Sequence, residues 1–420
     1  MQKETKAIAI LTGSSHPELK EIANALASDG RSFYFVSGLV FSQFELRLLK
    51  RILPRNSRYQ AFISNRTVNV SRSHLIRSML LFEIFFLFLF FLPHQMKSRF
   101  VLKLTAKFDR MGKNCGEKSI LKLISQNKIQ TIIAQNSFCL SKIPLEIDLV
   151  EIAYHGSRDH EILWQKFATR QWPEWKSTWR LEDNDSNDSE RNSDYNSSVR
   201  NRYVVVSSSF SASPKIDRNT HLITIPLGQK DIRREAISIK DQTKGRDFIF
   251  LGSLGLRKGL PLLLEAGAHL EKDSKLRILG RAEKFAADKL LVQGNENIEV
   301  TFNPNRDYVL QSLAKSDVLL FPSYYEGFGI AILEAMASGC IPIVSRNTCG
   351  PDILAGTVFE DFLFDAGNTS QFIAAIKKVE KMPIFEMNKL KLESQKISSK
   401  YTFQKYGEKC IDELVQLNLI

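Results

Sequence analysis

The sequence predicts an α/β protein with two domains, of which the second is a doubly wound parallel sheet. Short apolar strands alternate with helices along most of the chain, which is typical of parallel sheets. In the second half the connections between these elements are short, as they are in doubly wound domains. A length of 420 residues provides enough chain for two domains with hydrophobic cores of their own.

The first half contains the less regular elements. The stretch 16–30 predicts a helix, because apolar residues recur at helical spacing and a glycine follows as a stop: Leu19, Ile22, Ala23, Leu26 and Gly30. Apolar runs predict strands at 6–13, 32–38, 129–135, 148–156 and 202–208. Together they indicate a parallel sheet in this half as well.

The second half predicts a regular alternation of strands and helices. Strands are expected at 247–252, 275–280, 297–302, 317–323 and 341–345. Helices are expected at 260–270, at 306–316, directly after Gly329, and at the chain end in 403–420. A doubly wound domain binds its ligand at the carboxyl ends of its strands. The functional residues of this half are therefore expected in the loops that follow the strands.

An apolar segment, SMLLFEIFFLFLFFLP at 78–93, interrupts the pattern of the first half. It is shorter than the about 20 residues that a helix needs to cross a bilayer, and Glu83 lies within it. Basic residues flank it on both sides: Arg72, Arg77, Lys97 and Arg99. Residues 79–92 predict either a buried helix of the first domain or a helix that dips into one leaflet of an anionic membrane.

The polar stretch 180–201 is rich in Asn, Asp and Ser and predicts a mobile surface loop. It contains Asp183-Asn184-Asp185, but such a composition makes this pattern a weak metal signal, and we predict no metal site. The five cysteines are scattered and lack metal-ligand spacing. They indicate reduced thiols in a cytoplasmic protein.

The net charge of +12 indicates an acidic partner. Anionic lipid, a nucleic acid or a phosphorylated substrate would each satisfy it. The sequence shows no interleaved stripe of aromatic and basic residues, so we predict no nucleic-acid binding. An anionic membrane surface stays open as a partner.

The loop SLGLRKG, Ser253 to Gly259, follows the first strand of the second half and suits a diphosphate. Its glycines allow close backbone approach, and Arg257 and Lys258 precede a helix N-terminus, which attracts anions. The loop matches neither the Walker A motif nor G-x-G-x-x-G. A basic surface turn is the alternative interpretation.

Two acids, Glu326 and Glu334, follow the strand at 317–323. Glu326 lies in a loop where Gly327 and Gly329 allow backbone amides to face a ligand. Glu334 lies in the first two turns of the next helix, within reach of the same crevice. Two carboxylates in one crevice suit the hydroxyl groups of a nucleotide sugar, whereas the alternative role of Glu334 is to stabilise the helix dipole.

The stretch EGFGIAILEAMASGCIPIVS (326–345) resembles the Glu-x7-Glu signature of family 4 retaining glycosyltransferases, which have the GT-B fold. FIFLGSLGLRKGLPLLLEA (248–266) is similar to the phosphate-binding strand, loop and helix of that family. The resemblance covers roughly 202–400. It implies two Rossmann-like domains that face each other across a cleft.

The resemblance also implies roles for single residues. Lys258 would neutralise the donor diphosphate, with Gly252, Ser253 and Arg257 beside it. Ser253 stands where the family commonly has an arginine, and Arg257 is the candidate to supply that charge. Glu326, with the amides of Gly327, Phe328 and Gly329, would hold the donor sugar, and Glu334 would bind the ribose. His155 lies where the family often has a histidine near the transferred sugar, so the expected catalytic residues are Lys258, Glu326 and His155.

The expected domains are an acceptor domain at 1–228 and a donor domain at 229–400, with the helix in 401–420 packing back on the first. The expected activity is that of a retaining, hexosyltransferase-type glycosyltransferase in polysaccharide, lipopolysaccharide or glycolipid synthesis. Its expected partners are a nucleotide-diphosphate sugar and a saccharide or lipid-linked acceptor, without a cofactor. The expected location is cytoplasmic, peripheral at the inner face of the plasma membrane. A non-catalytic GT-B scaffold for another glycosyltransferase is the alternative.

Overall fold

The computed structural model describes residues 7–13, 16–52, 63, 66–70, 74–90, 99–135, 140, 143–144, 146–153, 158–179, 202–211, 220–229, 245–292 and 295–420. Within these ranges the chain forms two parallel sheets with helices packed around them. None of the helices found there is both long and apolar enough to cross a membrane. His155 and the polar stretch 180–201 lie outside the described residues.

The first sheet is built from short, apolar strands: β1 (Ala7–Leu11), β2 (Phe33–Val36), β5 (Leu75–Ile76), β6 (Ile129–Gln135), β7 (Asp148–Ala153), β8 (Arg202–Val206) and β9 (Thr220–Thr224). A separate parallel pair consists of β3 (Phe41–Ser42) and β4 (Thr67–Val68). The order across the sheet is β5-β2-β1-β6-β7-β8-β9. Because the order reverses between β1 and β6, the crevice of this sheet lies there.

The helices around this sheet are α1 (Pro17–Ser28), α2 (Gln43–Ile52), α3 (Leu80–Phe90), α4 (Arg99–Ser125) and α5 (Arg158–Gln171). Helix α1 begins with Pro17, whose ring presets the backbone for a first helical position. Its predicted apolar face is buried. The face packs under the sheet and against the C-terminal helix of the chain.

Helix α3 corresponds to the apolar segment, and it is buried on one side only. Met79 and Glu83 are buried, whereas Leu81 is 78% exposed and Ile84 is 48% exposed. The interpretation of 79–92 as a wholly buried helix is therefore wrong for the described side chains. The outward side of α3 faces solvent.

The second sheet contains β10 (Asp247–Leu254), β11 (Lys275–Ala282), β12 (Ile298–Phe302), β13 (Val318–Phe321), β14 (Ile341–Ser345) and β15 (Leu363–Phe364). Their order is β12-β11-β10-β13-β14-β15, and every pair is parallel. This is the order of a Rossmann-type sheet, with its reversal between β10 and β13. The loops that follow β10 and β13 are therefore neighbours in space.

The helices of the second half are α6 (Leu260–Gly267), α7 (Lys284–Val292), α8 (Arg306–Lys315), α9 (Ile330–Ala337), α10 (Gly350–Leu354), α11 (Thr369–Glu380), α12 (Ile384–Ser398) and α13 (Phe403–Gln416). Four of them, α6, α8, α9 and α13, lie where the sequence predicts helices, although the helix expected at 260–270 ends at Gly267. Helices α7, α10, α11 and α12 were not predicted.

The two sheets are linked through several contacts. Helix α13 packs against α1, and the chain crosses between the sheets at Gln229, whose N–H donates to the carbonyl of Tyr401 over 3.0 Å. Helix α5 lies against the second sheet: the indole N–H of Trp172 donates to the hydroxyl of Tyr324 over 2.9 Å. The predicted boundary between 228 and 229 falls between β9 and β10.

Candidate functional site

The candidate site lies at the carboxyl ends of β10 and β13, where the strand order of the second sheet reverses. After β10, a single 3-10 turn at Leu256–Lys258 leads into α6. Gly259 joins the two with a φ of 72°, and a Cβ there would overlap the carbonyl oxygen of Pro322, which follows β13. Only glycine fits this contact, so the two loops approach each other backbone to backbone.

A cavity of about 380 Å³ opens at this reversal. Six of the predicted residues line it: Gly252, Ser253, Lys258, Glu326, Gly329 and Glu334. Residues that are far apart in the sequence thus line one cavity, as predicted for loops at the carboxyl ends of neighbouring parallel strands. The predicted residues that do not line it are Arg257, Gly327 and Phe328.

Lys258 forms the cationic centre of the cavity. Lys258 is only 8% exposed. Its Nζ contacts Oε2 of Glu326 and lies 4.7 Å from the ring centroid of Phe321. Burial lowers the pKa of Lys258 well below its usual value, and the positive charge of Arg257 lowers it further. The contact with Glu326 opposes both effects by favouring the charged ammonium. A buried ammonium next to a cavity is well placed to meet an anion.

Arg257 contacts Glu326 but does not line the cavity. Its Nη1 donates to the carbonyl oxygen of Tyr325 over 3.2 Å and lies 3.3 Å from Oε2 of Glu326. The guanidinium therefore shares this carboxylate oxygen with the ammonium of Lys258. That Arg257 supplies the charge of the arginine common at position 253 stays a prediction.

Glu334 is paired with Arg306, which the sequence analysis missed. The two nitrogens of the guanidinium donate to the two carboxylate oxygens over 2.9 and 2.6 Å, and the Glu334 side chain is 18% exposed. Such bidentate pairs fix the orientation of a carboxylate. Glu334 is in the second turn of α9, and this helix is capped by Gly329 without a side-chain bond. Glu334 is thus an oriented carboxylate at the cavity.

Gly327 and Phe328 form the part of the loop that faces the first sheet. The carbonyl oxygen of Gly327 accepts hydrogen bonds from the hydroxyls of Ser208 at 2.7 Å and Ser207 at 3.4 Å. The carbonyl oxygen of Phe328 accepts from the N–H of Cys349 over 2.9 Å, and its ring is buried. This loop therefore connects the cavity to the carboxyl end of β8, across the gap between the two sheets.

Arg281 and Asn303 also line the cavity and were missed. Arg281 lies at the carboxyl end of β11, and Asn303 directly follows β12 at the same edge of the sheet. The expectation that functional residues lie at the strand ends could therefore have identified both. Within the described ranges, no group of three or more His, Cys, Asp or Glu is placed to hold a metal ion. The polar lining is instead a mixture of cations and carboxylates.

The second half of the chain is similar to known glycosyl transferases. Residues 231–397 match the model of glycosyl transferases group 1. The chain is 28% identical over 155 residues to a glycogen synthase of Erwinia tasmaniensis, across 34% of this chain and 32% of that protein. It is 31% identical over 146 residues to the lipopolysaccharide glucosyltransferase WaaG of Escherichia coli, across 31% of this chain and 37% of WaaG. The matched region spans about a third of each relative.

Among solved structures, the sucrose-phosphate synthase of Thermosynechococcus elongatus is similar with a TM-score of 0.58, at 14% identity, over 99% of both chains. A WaaG structure is similar with a TM-score of 0.52, at 14% identity, over 97% of this chain and 99% of that one. The predicted GT-B fold is confirmed. The resemblance to glycosyltransferases is confirmed at the level of group 1, whereas family 4 and its Glu-x7-Glu signature stay predictions.

Proposed function

We propose that this protein is a retaining glycosyltransferase that moves a sugar from a nucleotide-diphosphate sugar to a hydroxyl acceptor. One observation carries the proposal: Lys258, Glu326 and Glu334 line a single cavity at the strand-order reversal of the second sheet. All three lie within the stretch that matches group 1 glycosyl transferases. The cavity therefore offers positive charge and two acids to one ligand.

Lys258 is the residue that would stabilise the leaving group. When the bond between sugar and diphosphate breaks, negative charge builds up on the departing phosphate, and a buried cation placed beforehand lowers the energy of that state. When the donor binds, the ammonium of Lys258 would leave the carboxylate of Glu326 and pair with phosphate oxygens instead. Arg257 would keep Glu326 in place during this exchange, because its Nη1 is 3.3 Å from the carboxylate.

The two acids would hold the hydroxyl groups of the donor. Glu326 is released from Lys258 once phosphate binds there, and it can then accept hydrogen bonds from the sugar. Glu334 is already oriented by Arg306 and would accept from the ribose hydroxyls. Partly buried carboxylates that pair with hydroxyls in this way would fix the donor in one pose, which reduces the entropic cost of the reaction.

Retention requires the acceptor hydroxyl to attack from the face that the diphosphate leaves. That face has to be shielded from water, since water would hydrolyse the donor. The hydroxyls of Ser207 and Ser208 reach Gly327 from the first sheet and hold the two halves together beside the cavity. The acceptor would enter from the first domain, and His155 stays the predicted histidine near the transferred sugar.

The relatives suggest the class of product. Their names refer to glycogen synthesis and to glucosylation of lipopolysaccharide, which supports a role in polysaccharide, lipopolysaccharide or glycolipid synthesis. The donor is a substrate, and we propose no further cofactor. We also propose a cytoplasmic enzyme that associates with the inner face of the plasma membrane as a peripheral protein.

Substitution of Lys258 tests the proposal. The donor nucleotide is identified first, by the thermal stabilisation that UDP, GDP, ADP or CMP gives to the whole chain. Lys258→Ala should then lower turnover by about 10² or more, as the loss of one charge-stabilising contact does. Lys400→Ala, an exposed lysine at the end of α12, is the matched control and should keep normal turnover.

Two results would contradict the proposal. Near-normal turnover of Lys258→Ala would remove this lysine from the reaction, and NMR of the product would reject retention if the anomeric configuration were inverted. A protein that binds nucleotide but neither hydrolyses nor transfers any sugar would favour the alternative of a non-catalytic GT-B scaffold.

A further inference from the structure

Helix α2 exposes a stripe in which apolar and cationic side chains alternate. Phe44 is 69% exposed and Leu48 is 50% exposed, and Arg47 and Arg51 are exposed as well. Positions i, i+3, i+4 and i+7 lie on one face of a helix. On the inner side, Glu45 accepts a hydrogen bond from the N–H of Ser42 over 2.9 Å, which fixes the rotation of the helix. The stripe therefore points away from the protein.

Helix α3 presents a second exposed apolar pair, Leu81 and Ile84, next to the same turn of the chain. Its buried Glu83 accepts hydrogen bonds from the N–H of Leu39 and, over 3.1 Å, from Arg66. Arg77, three residues before α3, donates to the carbonyl of Val40 over 2.9 Å and contacts Glu45 of α2. Both helices are thus tied to the turn at 39–42, and their first turns are neighbours.

The positive charge of the sequence is concentrated in the segment that contains these helices. Residues 43–122 contain 16 Lys and Arg but only four Asp and Glu, which equals the whole net charge of +12. The other 340 residues contain 42 of each kind. Three of the four acids, Glu45, Glu83 and Asp109, are paired with Arg77, Arg66 and Lys113. Most of the basic residues in 43–122 are therefore not balanced by an acidic residue of the same segment.

We propose that the outer stripe of α2, together with Leu81 and Ile84, is a docking surface for an anionic lipid bilayer. Large apolar side chains among arginines match the boundary between acyl chains and negatively charged headgroups. A nucleic acid would account for the charge, but it would leave the exposed Phe44, Leu48 and Leu81 unexplained. Because the exposed apolar side chains lie on one side of α2 and of α3, the proposed contact lies on the surface of the bilayer.

The position of this surface connects it to the proposed reaction. The segments that lead into α2 and α3 leave the first sheet at the carboxyl ends of β2 and β5, which is the edge at which such sheets bind ligands. A bilayer on this surface would lie beside the acceptor side of the crevice. We therefore assign a membrane-embedded acceptor to the enzyme, and this assignment rests on the proposed function.

Flotation of the full chain with lipid vesicles tests the surface. Vesicles of phosphatidylcholine mixed with phosphatidylglycerol should bind the protein, binding should weaken as salt is added, and pure phosphatidylcholine should bind poorly. The double variant Phe44→Ser/Leu48→Ser should bind about tenfold more weakly or worse, because its apolar side chains no longer enter the lipid. Arg47→Glu/Arg51→Glu should lose about 25-fold or more, at about fivefold per basic residue.

Helix α12 provides a matched control, since Phe385 and Leu392 are 81% and 61% exposed on the second domain. Phe385→Ser/Leu392→Ser should leave vesicle binding unchanged. Three results would each overturn the docking surface. They are an equal loss of vesicle binding in this control, equal binding of the wild type to neutral and anionic vesicles, and undiminished vesicle binding of the α2 variants.

Nucleotide-induced thermal stabilisation separates the docking surface from the proposed function. It should be the same in the wild type and in the α2 variants, which also shows that the variants are folded. A wild type that no nucleotide stabilises, but whose vesicle binding depends on Phe44 and Leu48, would refute the donor site and keep the docking surface.

Discussion

Removal of the Tyr324 hydroxyl should weaken the contact between the two halves of the molecule. The side chain is fully buried, two residues before Glu326. Its hydroxyl accepts from the indole N–H of Trp172 over 2.9 Å and donates to Oε1 of Gln171 over 2.7 Å. Burial raises the pKa of Tyr324, so the hydroxyl stays protonated and can donate at any ordinary pH.

Tyr324→Phe keeps the ring and deletes both bonds. Each hydrogen bond contributes about 0.5–1.5 kcal/mol net, and an indole N–H without a partner adds a desolvation cost, so the free energy of unfolding should fall by about 2–3 kcal/mol. Urea unfolding followed by tryptophan fluorescence measures the loss, because Trp172 itself lies at the contact.

Tyr308→Phe is the matched control for this experiment. Its hydroxyl lies 3.3 Å from that of Thr301, and the residue is 43% exposed. We expect a change of about 0.5 kcal/mol or less, as for other surface substitutions. If Tyr324→Phe cost no more than this control, α5 would not be held to the second sheet by these bonds.

Glu334→Ala should weaken nucleoside diphosphate binding by about 1–3 kcal/mol, because the ribose hydroxyls lose an acceptor; unchanged affinity in calorimetry would exclude this role. Gly259→Ala should cost about 1–2 kcal/mol from the left-handed backbone alone, and more from overlap with Pro322, in the free energy of unfolding; equal stability would contradict the close approach of the two loops. Glu18→Gln should stabilise the protein at neutral pH. Burial raises the pKa of Glu18, so the folded state holds a proton more tightly than the unfolded chain, and stability falls as pH rises from the unfolded pKa towards the folded one. Urea unfolding at acidic and neutral pH should show the variant gaining only at the higher pH; an equal effect at both would refute this explanation.

Five of the six strands described in the second half could be predicted, because each one is a short apolar run followed by glycine or a polar loop. Strand β15 has only two residues and was not predicted. That alternation also determined the site: Lys258, Glu326 and Glu334 meet because parallel strands bring their carboxyl ends to one edge. The partner of Glu334 could not be predicted in this way. Arg306 lies 28 residues earlier on another helix, and its pairing depends on how α8 and α9 are placed.

The apolar segment shows a different limit of sequence reasoning. Composition alone fitted both a buried helix and a helix that dips into one leaflet. The outcome depends on Glu83, whose bonds to Leu39 and Arg66 turn one side of α3 inward and leave Leu81 outside. The positions of Arg257 and Lys258 were similarly undecidable, because these neighbours in one 3-10 turn differ: Lys258 lines the cavity, whereas Arg257 does not line it and contacts Glu326.

The acids of the cavity are already neutralised before any ligand arrives, Glu326 by Lys258 and Glu334 by Arg306. Inorganic phosphate that approaches Lys258 has to displace a carboxylate, and it offers that carboxylate few donors in return. A nucleotide sugar brings hydroxyl groups that can satisfy the freed Glu326 and can also pair with Glu334. At the proposed donor site, selectivity against the simple anions of the cell would therefore follow from the internal ion pairs.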